Sequence, residues 1–73
     1  MKAKIRLDTG ADAIKFSSLA SKLDGHITIT DNKGLCVSAK SILGMLYALE
    51  FEELWCESEF DIYSHIQDFV IID

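Results

Sequence analysis

The sequence predicts an α+β fold: a four-stranded antiparallel sheet, open on one face, with three helices packed on the other in the order βαββαβα. Three observations predict it. Apolar and polar side chains alternate with the strand period at residues 2–7, 26–30 and 52–57, and Asp31-Asn32-Lys33-Gly34 gives the second of these a turn and a returning arm. Apolar residues recur at helical spacing in two further stretches, and a short, almost wholly apolar helix lies between them.

Taken in order, Lys2, Lys4 and Arg6 fall on one side of the first strand and Ala3, Ile5 and Leu7 on the other. Asp8 to Asp12 is polar. Phe16, Leu19, Ala20 and Leu23 then recur at helical spacing until Gly25 supplies a stop, which makes helix one. His26 to Thr30 and Leu35 to Ser38 form the hairpin arms. Ser41 offers an N-cap to the second helix, in which Ile42, Leu43, Met45, Leu46, Tyr47 and Leu49 wrap around the cylinder. Such a helix is either wedged into the core or presents an apolar patch, and a patch of that kind marks a docking surface.

Glu52 to Glu57 reads as strand four, with Leu54 and Cys56 inward and Glu53, Trp55 and Glu57 outward, although a one-residue slip would bury Trp55. Ser58-Glu59-Phe60-Asp61 matches a capping box, and Ile62, Ile66, Phe69 and Val70 continue as a helical stripe to the end. A right-handed crossover from strand one leaves a gap for strand four. Lys2, Lys4 and Arg6 then lie opposite Glu53 and Glu57.

Seventy-three residues, with no proline, repeat or linker, make a single domain at 1–73 with one modest core. No apolar run reaches membrane-spanning length and the first residues do not resemble a signal peptide, so a cytoplasmic location is expected. A net charge of −5 with scattered basic residues disfavours nucleic acid and anionic membranes. Cys36 and Cys56 lack metal-ligand or redox spacing and read as buried free thiols. No metal, disulfide or cofactor is expected.

The segments Leu19-Ala20-Ser21-Lys22-Leu23-Asp24-Gly25-His26-Ile27-Thr28-Ile29-Thr30 and Val37-Ser38-Ala39-Lys40-Ser41-Ile42-Leu43-Gly44 resemble the histidine-containing phosphocarrier protein (HPr) family of the bacterial sugar phosphotransferase system. The resemblance runs from about Ile14 to Leu46 and implies that family's open-faced β-sandwich. It departs after Ala48, where Glu50 to Glu53 replaces a glycine-containing loop. The family motif Gly-x-His-x-Arg-Pro-Ala also fails here: counting back from Ala20, the histidine falls on Thr9, the arginine on Ala11, the proline on Asp12 and the last alanine on Ala13.

A phosphoramidate on imidazole can pass its phosphoryl group onward, whereas a threonine phosphate is a stable ester. Asp8 and Asp12 would moreover repel the group. Thr9-Gly10-Ala11-Asp12 reads instead as a capping box, so no catalytic residue is expected. Ser41, by contrast, matches the serine that a dedicated kinase phosphorylates in many family members, and Lys40 adjoins it. An ordinary N-cap explains the same serine.

By position, the resemblance places the family's partner-binding face at Ile14, Ser18, Ile42, Leu43 and Leu46. The implied partners are proteins: HPr kinase, enzyme I or a transcriptional regulator. The resulting expectation is a non-catalytic HPr-like regulator or adaptor, switched at Ser41. Two alternatives stay open. One is phosphoryl transfer through His26 or His65, and the other is a structural domain that oligomerises through helix two and Val70-Ile71-Ile72.

Overall fold

A computed structural model describes residues 1–72. It contains β1 (Lys2–Ile5), α1 (Gly10–Ser21), β2 (Ile27–Thr30), β3 (Cys36–Ser38), α2 (Ile42–Ala48), β4 (Leu54–Ser58) and α3 (Tyr63–Ile66), then a 3-10 turn at Gln67–Phe69. The element order is the predicted one. The sheet runs β1-β4-β2-β3 with every pair antiparallel, so β4 does enter the gap beside β1.

Alternation decides what each strand buries. Ile5, Ile27, Ile29, Leu54 and Cys56 point into the core, where they meet Ala13, Phe16 and Ala20 of α1, Met45 and Ala48 of α2, and Ile66 of α3. Phe16 is fully buried and meets the Phe69 ring edge-on, with centroids 5.1 Å apart. That contact joins α1 to the 3-10 turn.

On the open face, Lys2 is in register with Glu57 and its ammonium lies 3.2 Å from that carboxylate, while Lys4 approaches Glu53 at 4.0 Å. Exposed pairs of this kind contribute up to about 1 kcal/mol each. Trp55 lies between them on the same face. Lys2 and Lys4 stand 5.5 and 5.8 Å from its ring, and its indole N–H donates to Glu53 Oε1 at 3.1 Å.

The hairpin turn forms as predicted. Asp31 Oδ1 accepts from the backbone N–H groups of Lys33 and Leu35, and Asn32 and Gly34 adopt positive φ. Lys33 reaches Glu52 at 2.7 Å, tying this turn to the loop between α2 and β4. The hydrogen bond with Lys33 holds the Glu52 carboxyl below its usual range.

Five expectations need correction. Ser58 does not cap helix three: it belongs to β4, opposite Ile27, and its hydroxyl donates to the Phe60 carbonyl. Helix three is correspondingly short. It begins at Tyr63, whose N–H donates to Asp61 Oδ1, and the apolar stripe leaves helical geometry before Val70, which forms an antiparallel bridge with Ile5. Arg6 N–H donates to the Phe69 carbonyl and Ile71 N–H to that of Lys4, so the end of the chain covers the outer edge of β1.

Arg6 lies beyond β1 and pairs with Asp8 at 2.8 Å instead of a glutamate of β4. Cys36 is exposed, because its register partner Thr30 lies on the open face; only Cys56 is buried. Gly25 does not end α1 directly, since Lys22 caps that helix. It has φ +82° in the turn into β2, where a Cβ would come within 3.0 Å of the Phe60 ring.

Candidate functional site

At the start of α1 the backbone leaves N–H groups that the helix cannot satisfy, and the sequence supplies two acceptors. Thr9 Oγ1 accepts from Asp12 N–H at 3.1 Å, and Asp12 Oδ2 accepts from Asp8 N–H at 2.9 Å. This is the expected cap, with the carboxylate reaching one residue further back than in the usual box. Beside it a cleft of about 520 Å³ is lined by the side chains of Asp8, Asp12 and Asp68 against Arg6 and Lys15. Arg6 is already engaged by Asp8, and Ala11 adds no cation. An incoming phosphoryl group would meet excess negative charge.

The two histidines offer no better acceptor surroundings. His26 is exposed, its backbone N–H donates to Glu59 Oε1 at 2.7 Å, and it shares a shallow cleft with Glu57 and Glu59. His65, also exposed, shares a cleft with Asp24 and Asp61. Acidic residues line both clefts, which disfavours a dianionic adduct at either histidine.

The α2 helix starts from Ser41, whose backbone is extended and whose Oγ accepts from Gly44 N–H at 3.1 Å. Ser41 is exposed. Lys40 turns away from it and donates to the Leu23 carbonyl at 2.7 Å, beyond the end of α1, so its ammonium must leave that bond to reach a phosphate on Ser41.

Helical spacing then separates two faces of α2. Met45 and Ala48 are wholly buried, whereas Ile42, Leu43, Leu46 and Tyr47 cluster on the other side and are 52, 80, 36 and 53% exposed. The helix is therefore half core and half apolar patch. Leu46 Cδ2 would lie 3.7 Å from a Cβ at Gly10, which brings α2 against the first turn of α1. Ile14 stands one turn along α1 from Gly10 and is 47% exposed, and exposed Ser18 extends that side by another turn.

Sequence-predicted Ile14, Ile42, Leu43 and Leu46 thus share one part of the surface, and Ser41 stands at its edge. Tyr47 belongs with them and was not among the predicted contacts; its position four residues after Leu43 was the available signal. Phe60 and Tyr63, 59 and 40% exposed, follow β4 in the chain and lie outside α1 and α2. Among the described residues no cluster of His, Cys, Asp and Glu could hold a metal, and no helix is long and apolar enough to cross a membrane.

Fold and site together define an open-faced α+β sandwich with an apolar helix face beside a capped, acidic helix start. Comparison with protein-family models, with curated proteins and with solved structures finds no match.

Proposed function

We propose that this chain is a non-catalytic, HPr-like regulatory or adaptor protein, related to the phosphoenolpyruvate-dependent sugar phosphotransferase system and acting in the cytoplasm. It docks a protein partner through Ile14, Ile42, Leu43 and Leu46, with Ser18 at the margin. The observation that carries this reading is the exposed apolar face of α2 next to a helix start capped by Thr9, the position at which the resemblance implies a carrier histidine. The collinear resemblance from Ile14 to Leu46 supports the same assignment. Partners of the implied kinds are HPr kinase, enzyme I or a transcriptional regulator.

Ser41 is the switch in this proposal. Its hydroxyl is exposed at the helix start and adjoins Ile42, so a phosphate there would add negative charge at the border of an uncharged face. Incubation with an HPr kinase and ATP, followed by intact mass and fragmentation, should show one phosphoryl group on Ser41. No addition, with an authentic HPr modified in the same tube, removes Ser41 from the account.

The docking face has its own test. Leu46→Glu should keep the far-UV circular dichroism of the parent and lose capture of a purified partner by at least tenfold, because burying an unpaired carboxylate against apolar surface costs more than 1.4 kcal/mol. Undiminished capture would reject the assigned face.

A further inference from the structure

The α2 face has a second property that does not depend on the adaptor reading. No Asp, Glu, Lys or Arg occurs from Ser41 to Leu49, although the whole chain carries a net charge of −5. Two copies of an acidic chain repel one another in most orientations. They can approach here without stranding a charge in the contact.

Area favours the same pairing. Ile14, Ile42, Leu43, Leu46 and Tyr47 remain between 36 and 80% exposed. They offer on the order of 500 Å² per copy, hence about 1,000 Å² across a two-fold pair, the lower bound of a specific interface. A two-fold axis sets the same apolar patch against itself, and interfaces between identical chains are the more apolar class. Leu43, the most exposed member of the face on α2, lies at helical spacing between Leu46 and Tyr47.

We propose that the free protein forms a weak two-fold dimer in which the α2 face of one copy packs on that of a second. The contact is apolar and the opposing force is net charge. Salt therefore strengthens the dimer.

Sedimentation equilibrium of the full chain, from about 10 μM to about 1 mM, tests this at low salt and at about 0.5 M NaCl. The average mass should rise from 8.2 kDa toward twice that value, and rise further in salt. Leu43→Asp should stay at 8.2 kDa while Phe60→Ser, at an exposed apolar residue outside α1 and α2, associates like the parent. A parent that stays monomeric throughout, a dimer that survives in Leu43→Asp, or one that salt weakens would overturn the proposal. So would loss of the dimer in Phe60→Ser alone. If circular dichroism shows Leu43→Asp unfolded, Tyr47→Ser takes its place under the same requirement. A monomer phosphorylated on Ser41 would remove the dimer and leave the adaptor reading intact.

Discussion

Phe16→Ala should lower the melting temperature by roughly 15–30 °C. The ring is fully buried in α1 and meets Phe69 edge-on, so its removal takes out the largest side chain of the core and unseats the 3-10 turn. Truncating a buried phenylalanine costs about 3–5 kcal/mol, of which part is the transfer of the ring and part the cavity left behind. A 73-residue domain has a total of only about 4–11 kcal/mol to lose. Each 1 kcal/mol corresponds to about 4–8 °C at this size.

Leu43→Ala is the matching control, because Leu43 is 80% exposed and surface truncations fall within about 0.5 kcal/mol. Calorimetry of the two variants beside the parent checks both. A Phe16→Ala melting point within a few degrees of the parent would show that this ring is not central to the core.

Stability should also fall steeply in alkali, with Cys56 as an identifiable cause. Burial pushes its thiol from an ordinary 9.0 up to about 11, and the Glu57 carboxylate adds to this while the N-terminal ammonium opposes it. Below pH 9 the thiol is protonated in both folded and unfolded chains, and its contribution to stability is fully present. Between pH 9 and 11 the unfolded chain releases the proton and the folded one retains it, so ionisation favours unfolding. The loss across that window is about 2–3 kcal/mol.

Other groups titrate in the same range, so the comparison must be with Cys56→Ala. That variant should start lower at neutral pH, because a buried group has been removed, yet lose less stability between pH 9 and 11. Urea midpoints at several pH values read both slopes. Parallel slopes would acquit Cys56.

Where a local signal was strong, the sequence predicted the element and the structure has it: the Asp31 turn, the Thr9 and Ser41 caps, and the alternation that places Trp55 outward with Lys2 and Lys4. The candidate site was legible only in part. Apolar residues around all of α2 revealed that something was unusual, but which side faced solvent depended on the packing of Met45 and Ala48 against the sheet. Cys36 was misread because the mean habit of cysteine outweighed its register with Thr30, which alternation alone could have supplied.

The last stretch failed for a different reason. Ile62, Ile66, Phe69 and Val70 fit a helical stripe, yet hydrogen bonds from Arg6 and Ile71 draw the chain out into a bridge with Ile5 at the edge of β1. Periodicity within a segment carries no information about a partner more than sixty residues away. Ser58 was similarly claimed by β4 through pairing with Ile27.

Pairing between the two ends of the chain also governs how the molecule can assemble. The first strand has partners only in the last third of the sequence: β4 on one side and Phe69 to Ile71 on the other. Its neighbours in sequence give β1 no ladder at all. During synthesis it must therefore wait until β4 and the tail have emerged, and the sheet closes late through contacts of long sequence separation. Folding of this small domain is consequently all-or-none: a fragment ending before β4 would leave β1 without a mate, and β2 and β3 would be reduced to a bare hairpin too small to persist in water.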